Sequence, residues 1–289
     1  MALFRALESQ RAPHKRLFND PFARYFLSAS HLLVLHLARI SVLYSLLTAY
    51  IDHRWPGART SGVARTRLID DEVASALASG MQQIAFLGAG FDSRAYRLPG
   101  MEKVEIFEVD HPATSARKRK VIRKALGMVP RNVNFVEIEF NRDDLQTKMK
   151  QAGFDMKQRT LFIWEGVTNY LSAEAVEATL RWCSQTGPES KVIFTYVDKK
   201  VLTNPGSFYG TKSVSKVLQD AQEKWTFGID PDGLASWLIK RGLLLQKDIG
   251  ATQYRTLYLG RAGAKIRGYE FYHLATASPT PKIEVGIEH

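Results

Sequence analysis

The chain has 289 residues, of which 45% are hydrophobic and 24% charged, and this composition excludes a disordered or a fibrous protein. Its 40 lysines and arginines outnumber 29 acidic residues, so the net charge of +11 suits nucleic acid, anionic lipid or an acidic substrate. The single cysteine, Cys183, excludes an intramolecular disulfide framework and a cysteine-based zinc cluster, and it is typical of a reducing compartment.

The first 60 residues predict a helical extension. Charged residues are scattered through the first 25 positions, so we expect no secretory signal and a cytoplasmic location. The stretch 31–51 is long and apolar enough to span a bilayer, but His31, His36 and Arg39 interrupt it. We therefore expect a buried or lid-forming helix at 31–51 without stable membrane insertion, and contact with a membrane is the alternative.

Between residues 61 and 198, apolar runs alternate with amphipathic stretches, which predicts an α/β domain with helices on both faces of a sheet. The predicted strands are 82–88, 103–110, 133–140, 160–166 and 191–198. The predicted helices are 61–79, 112–126, 142–152 and 172–186. These strands are short and rich in β-branched and aromatic residues, as strands covered on both faces should be.

The C-terminal third has a different pattern. Residues 199–228 mix glycine, proline and aromatic residues, which predicts a long connection that forms a lid after the fifth strand. A helix at 231–241 begins with Pro231, and closing strands are predicted at 243–250 and 253–260. We expect one domain over 1–289. Its parts are an N-terminal cap at 1–60, a core at 61–198, the lid at 199–228, a closing region at 229–275 and a loose tail at 276–289.

The most specific local motif is AFLGAGFDSRAYRL at 85–98. A hydrophobic strand enters Gly88 and Gly90, where the chain must turn tightly and let its backbone approach a ligand. Asp110 ends the next strand, 20 residues after Gly90, at a position where a carboxylate can bind both ribose hydroxyls. Glu139 and Phe140 end the third strand, where an adenine would lie. This order indicates a nucleoside-containing cofactor, and the alternative is that Asp110 only caps the following helix.

The nature of the cofactor depends on the rest of the motif. A dinucleotide site normally has a third glycine where this chain has Ser93. A methionine-derived cofactor needs an acid and a base to bind its zwitterionic tail, and Glu165 and Arg65 could supply them.

Five ordered motifs, together with the N-terminal segments RALESQR and LFNDPFARYFL, resemble the leucine carboxyl methyltransferase superfamily. The motifs are ARTRLID (64–70), FLGAGFDSRAYRLP (86–99), FEVDHP (107–112), FIWEGVTNYL (162–171) and WTFGIDP (225–231). The chain is most similar to a bacterial branch of S-adenosylmethionine-dependent O-methyltransferases associated with polyketide metabolism. The resemblance implies a Rossmann-like class I methyltransferase sheet and methyl transfer to a carboxylate or hydroxyl of a small molecule.

The resemblance also implies roles for single residues. Arg65 would bind the cofactor carboxylate, and the Gly88–Ala89–Gly90 turn would pass beside the methionine part. Asp110 would hold the ribose, and Glu165 would lie near the amino group. Glu139 and Phe140 would flank the adenine, although the family usually has Asp-Leu at this step. Arg5 is the nearest match to a basic residue that the family places in its first helix.

No catalytic residue and no metal ligand can be assigned, and several residues have two interpretations. Either pocket lining or ordinary packing fits Tyr170, Tyr196, Trp225 and Phe227. Arg94 and Arg97 would steer an anionic acceptor or form surface salt bridges. His111 is expected to start a helix rather than act as a base, Cys183 to be buried, and the basic run 117–124 to be a solvated face rather than a nucleic-acid site.

Two other functions remain open at this point. The spacing from the glycines to Asp110 also fits an NAD(P)-dependent oxidoreductase. The net charge of +11 and the basic helix fit a binding module that retains a decayed cofactor pocket.

Overall fold

A mostly parallel seven-stranded sheet forms the centre of the molecule. The computed structural model describes residues 1–187, 189–220 and 222–281. The strands are β1 (Gln83–Leu87), β2 (Glu105–Asp110), β3 (Val133–Glu137), β4 (Thr160–Trp164), β5 (Lys191–Val197), β6 (Leu243–Gly250) and β7 (Tyr272–Pro279). Their order is β3-β2-β1-β4-β5-β7-β6, with β1 to β5 parallel and β7 antiparallel to both neighbours. The five strands predicted between 82 and 198 are confirmed.

Helices cover both faces of this sheet. The longer ones are α1 (Ala2–Ser9), α2 (Ala29–Leu37), α3 (Ser41–Arg54), α4 (Ala58–Ala78), α6 (Pro112–Leu126), α8 (Ala173–Cys183), α10 (Thr211–Asp220) and α12 (Ala251–Lys265). The shorter ones are α5 (Arg94–Arg97), α7 (Leu145–Gln151), α9 (Lys200–Thr203) and α11 (Leu234–Ile239). Helices α4, α6 and α12 lie on one face, and α7, α8 and α11 lie on the other. Strands β1, β4 and β5 are buried along nearly their whole length, which explains why they read as continuous apolar runs.

The strand order reverses beside β1. Strand β1 pairs with β2 on one side and with β4 on the other, so the chain leaves β1 and β4 in opposite directions. In a sheet of this kind a crevice opens outside the carboxyl ends of the strands at this point. The glycine loop after β1, Asp110 at the end of β2 and Glu165 after β4 therefore meet at one edge.

Two predictions about the C-terminal region are wrong. Residues 253–260 belong to α12, because Ala251, Tyr254 and Arg255 recur at helical spacing and form its buried side. The last strand is β7, which extends to Pro279, so 276–279 is not a loose tail. The amide of Thr280 still donates to the Gly242 carbonyl at 2.9 Å, and the predicted tail from 282 onward lies outside the described residues.

The apolar stretch 31–51 also differs from its prediction. It forms two helices, α2 and α3, separated at Ala38–Ile40, and it is neither one helix nor buried. Only one side of each helix packs on the protein, and large apolar side chains on the other side are exposed. In the described part of the chain, no helix has the length and hydropathy needed to cross a bilayer.

Candidate cofactor site

The glycine loop joins β1 to the crevice. Gly88 and Gly90 have φ angles of +68° and +45°, which favour glycine. The amides of Gly88 and Ala89 both donate to the Val109 carbonyl, at 2.7 and 2.9 Å, so the loop is held against β2. A Cβ on Gly88 would lie 2.3 Å from Cγ2 of Val167, whereas a Cβ on Gly90 would meet nothing closer than 3.8 Å. The backbone of Gly90 therefore faces open space.

Asp110 connects this loop to the end of β2. Its Oδ2 accepts a hydrogen bond from the Gly90 amide, and its Oδ1 accepts one from the His111 amide at 2.7 Å. The N-cap of α6 is His111, whose ring Nδ1 accepts from the Ala113 amide at 3.3 Å. Asp110 is thus not the cap of this helix, and each carboxylate oxygen keeps a lone pair for a ligand. The helix-start interpretation of His111 is confirmed.

Two adjoining cavities of about 640 and 250 Å³ form the crevice. Both are lined by Gly88, Gly90, Glu165 and Gly166. The larger cavity also reaches Asp110, Glu139 and Phe140. The smaller one reaches Arg5, Arg65 and Ala89. The structure therefore brings together every residue for which the sequence predicts a role in cofactor binding, and those roles remain predictions.

Glu165 lies between two arginines at the junction of the cavities. Its Oε1 accepts from Nε of Arg65 at 2.8 Å, and its Oε2 accepts from a terminal nitrogen of Arg94 at 2.9 Å. Burial alone would raise the pKa of Glu165, but the two guanidinium groups outweigh burial and lower the pKa to about 2. The Arg65 guanidinium also lies over the Tyr272 ring, 4.7 Å from its centre. Glu165 is therefore a fixed anion near neutral pH.

Arg94 and Arg97 are buried, so neither of the roles predicted for them is correct. Nε of Arg94 donates to Asp70 at 2.8 Å, and the same guanidinium also bonds Asp92. Arg97 donates to both oxygens of Asp70, at 2.8 and 2.7 Å. Arg94 therefore positions Glu165, and Arg97 holds Asp70, the carboxylate that also pairs with Arg94. The sequence does carry a signal for these buried ion pairs, because Asp92 and Arg94 follow Gly90 at two and four positions.

Arg5 attaches the first helix to the glycine loop. Its Nε donates to Oδ2 of Asp20 at 2.8 Å, and a terminal nitrogen donates to the Phe91 carbonyl. The Ser93 hydroxyl donates to the same Asp20 oxygen at 2.7 Å. Ser93, which occupies the third-glycine position, thus joins the loop to the N-terminal segment, and Arg5 lies at the wall of the smaller cavity.

The predicted adenine side is more open. The Glu139 side chain is 40% exposed and pairs with Arg142 at 3.1 Å, while His111 Nε2 lies 3.6 Å away. The Phe140 ring lies 6.1 Å from that of Trp164 at the edge of the core. An aromatic face and an exposed carboxylate thus stand beside the larger cavity.

The four predicted pocket residues do not line either cavity. Tyr196 is buried, donates to Asp248 at 2.8 Å and stacks on His273, and Phe227 packs against Trp237. For these two the packing interpretation fits the observed contacts. Tyr170 is 38% exposed and lies on a short turn after β4. Residues 225–227 lie beside that turn, because the Thr226 amide donates a hydrogen bond to the Asn169 carbonyl.

The basic run 117–124 and the lone cysteine have structural roles. Lys118 points inward and pairs with the buried Glu108 at 2.8 Å, while Arg117, Lys120, Arg123 and Lys124 are exposed. The predicted solvated face is thus correct except at Lys118. Cys183 is fully buried and free, as predicted.

Comparison with known proteins identifies the sequence family of this chain. Residues 1–184 match the sequence profile described as leucine carboxyl methyltransferase. The chain belongs to the leucine carboxyl methyltransferase family. A Streptomyces coelicolor protein, provisionally named an S-adenosyl-L-methionine-dependent methyltransferase, is 30% identical over 253 residues, which cover 84% of this chain and 80% of the relative. A Frankia alni protein with the same kind of name is 31% identical over 229 residues, covering 75% and 68%.

Two solved structures share the fold. A DUF574 family protein from Streptomyces avermitilis has a TM-score of 0.59 at 12% identity and covers 96% of this chain and 97% of its own. A Thermobifida fusca protein, provisionally titled a methyltransferase, has a TM-score of 0.55 at 12% identity, with coverages of 96% and 94%. The predicted Rossmann-like class I methyltransferase sheet is confirmed. Family membership makes the chain a methyltransferase that uses S-adenosylmethionine, and it favours this function over an oxidoreductase or a decayed binding module.

Proposed function

We propose that the enzyme transfers the methyl group of S-adenosylmethionine to an oxygen of a small acidic molecule, and that this oxygen belongs to a carboxylate rather than to a hydroxyl. The observation that carries this proposal is the state of the carboxylates at the crevice. Glu165 and Asp92 are both ion-paired with arginine, so neither is available to remove a proton from an acceptor.

The crevice fits the cofactor in charge and in shape. Glu165 would accept from the ammonium group and Arg65 would bind the carboxylate, so the zwitterionic end would meet one group of each sign. The open side of Gly90 leaves room for the chain of the cofactor, and the remaining lone pairs of Asp110 suit the ribose hydroxyls. The bound cofactor supplies a methyl group made electrophilic by its sulfonium. The residues of this chain hold both reactants in place.

The protonation states of the two carboxylates at the smaller cavity favour an acceptor that is already ionised. The described residues that line the smaller cavity include four ionisable side chains, Arg5, Arg65, Asp92 and Glu165. Burial opposes ionisation of Asp92, but Arg94 outweighs it and lowers its pKa, and the pKa of Glu165 is about 2, so both are weak bases. Burial raises the pKa of Tyr170 to about 12, so its hydroxyl stays protonated. A carboxylate acceptor is ionised near neutral pH and needs no base.

Positioning then supplies most of the rate. Fixing both reactants in an attack geometry can lower a barrier by about 7–11 kcal/mol. Segment 199–228 would serve as a lid, since Val201 and Val214 pack with Phe271 beside the carboxyl end of β5. Excluding water would favour transfer because charge is lost as the sulfonium methyl meets an anionic oxygen.

The test uses a property of the product. Purified enzyme is incubated with methyl-labelled cofactor and a panel of small carboxylic acids, each matched with its alcohol or phenol. Methyl esters release labelled methanol in alkali, whereas methyl ethers and methylamines do not. We expect alkali-labile label, and Asp110→Ala should reduce it while Glu137→Gln, at an exposed ion pair, should not. Label that survives alkali would refute the carboxylate acceptor.

A further inference from the structure

Helices α2 and α3 present an apolar face to the outside of the molecule. We define this apolar face as Leu33, Leu37, Ile40, Val42, Leu46 and Tyr50. Each of these side chains is at least 47% exposed, and Val42, Leu46 and Tyr50 are more than 60% exposed. On α3 these three residues recur every four positions, so they form one stripe along the helix.

The orientation of this face is fixed by the other side of the same helices. The buried side consists of Leu35 of α2, Ala38 directly after α2, and Ile51 of α3. These side chains pack with Leu7 and Ala23 of the N-terminal segment. Turning either helix inward would therefore remove packed side chains from this cluster. The apolar face is a stable feature of the surface.

Positive charge borders the apolar face on the side that faces α6. Residues 21–51 contain no aspartate or glutamate, and Arg24 and Arg39 are exposed among them. A groove of about 650 Å³, lined by Arg39 and by Leu126 of α6, joins this region to the end of the basic helix. Residues 111–136 also contain no acidic residue, and Arg123 and Lys124 are exposed there. We call Arg24, Arg39, Arg123 and Lys124 the basic border.

We propose that the apolar face and the basic border bind the surface of an anionic phospholipid bilayer. Such a surface offers hydrocarbon for the aliphatic side chains and negative charge for the border. A second copy of the chain is disfavoured, because it would bring like charges together and residues 21–51 provide no carboxylate to pair with them. Nucleic acid would leave the aliphatic face in water.

The helices lie on the membrane rather than across it. Helix α3 has 14 residues, so it is about 21 Å long. The hydrocarbon core of a bilayer is about 30 Å thick. The binding is therefore peripheral, and it rests on a surface separate from the crevice and independent of the acceptor proposed above.

Vesicle sedimentation of the full chain tests this proposal. Vesicles of phosphatidylcholine alone are compared with vesicles of equal parts phosphatidylcholine and phosphatidylserine. We expect binding to the anionic vesicles to be at least about tenfold tighter and to weaken as salt is raised. Leu46→Asp should lower it about tenfold. The matched control is Leu257→Asp on α12, because Leu46 and Leu257 are 62% and 61% exposed.

A second pair of variants tests the charge without changing the apolar face. Arg123→Gln with Lys124→Gln should weaken binding and reduce its salt dependence. Lys150→Gln with Lys240→Gln, on α7 and after α11 at the opposite side of the sheet, should leave both unchanged. Retained binding of S-adenosylhomocysteine checks that each variant is folded.

Three results would overturn the proposal. The first is wild-type protein that stays in the supernatant with both kinds of vesicle. The second is equal binding by the Leu46→Asp and Leu257→Asp variants. The third is a dimer in light scattering that Leu46→Asp dissociates in the absence of lipid, which would assign the face to a second copy of the chain.

Discussion

Replacing Glu165 with glutamine tests the charge arrangement at the centre of the crevice. Lowering its pKa from 4.5 to about 2 corresponds to about 3 kcal/mol of stability at neutral pH. The side chain is 17% exposed, so solvent screens the pair little. We expect Glu165→Gln to lower the free energy of unfolding by about 3 kcal/mol and the Tm by about 5 °C for a chain of this length.

The pH dependence gives this prediction its sign. The folded pKa lies below the ordinary value, so the contribution is complete above pH 4.5 and is lost as the pH falls towards about 2. Urea unfolding of both proteins across this range should show their difference shrinking, because protonated Glu165 resembles glutamine. Glu137→Gln is the control, since its pair with Arg119 is exposed and should cost less than about 1 kcal/mol. A difference that is absent at pH 7, or that does not change with pH, would refute the reasoning.

Other predictions concern the loop and the lid. Asp110→Ala should weaken S-adenosylhomocysteine binding at least about tenfold in calorimetric titration with little change in Tm, because a hydrogen bond to a charged group contributes about 1.5–3 kcal/mol; unchanged affinity would contradict its ribose role. Gly90→Val should abolish binding in the same titration and also lower the Tm somewhat, because its Cβ meets no neighbouring atom closer than 3.8 Å but a φ of +45° strains a β-branched residue. Gly88→Ala should instead act mainly by lowering the Tm through its clash with Val167, and the reverse pattern would exclude the loop as the site. Segment 199–228 should gain protection from amide exchange when cofactor and acceptor bind. Exchange rates that do not change on binding would contradict the role of this segment as a lid.

The sequence predicted β1, β4 and β5 well because these strands are buried on both faces. Such strands are short apolar runs bounded by turns, and the pattern survives without tertiary context. Residues 253–260 failed for the opposite reason. Tyr254 and Tyr258 fit both a strand and a helix in a window of eight residues, and only packing of α12 against α4 decides between them. The prediction of one buried helix at 31–51 was wrong because exposure depends on which neighbours cover a segment, and its role as a lid stays a prediction.

The candidate site shows the same division. Motif spacing identified the residues predicted to bind the cofactor. When strands alternate with helices, the strands are parallel and their carboxyl ends lie at one edge of the sheet. Motif spacing could not predict which carboxylates form ion pairs with the arginines. Arg65 and Glu165 are 100 positions apart, and Arg94 and Glu165 are 71 apart. Nothing local distinguishes a buried arginine from an exposed one.

These long-range pairs form one connected network beneath the crevice. It contains four arginines and four carboxylates: Arg5, Asp20, Arg97, Asp70, Arg94, Asp92, Glu165 and Arg65. Because their formal charges cancel, no member is left as an uncompensated buried charge, which would be strongly destabilising. The ammonium and carboxylate of a methionine tail also cancel. Such a ligand can therefore bind at Glu165 and Arg65 without unbalancing the network, whereas a ligand end with a single charge would leave one sign in excess.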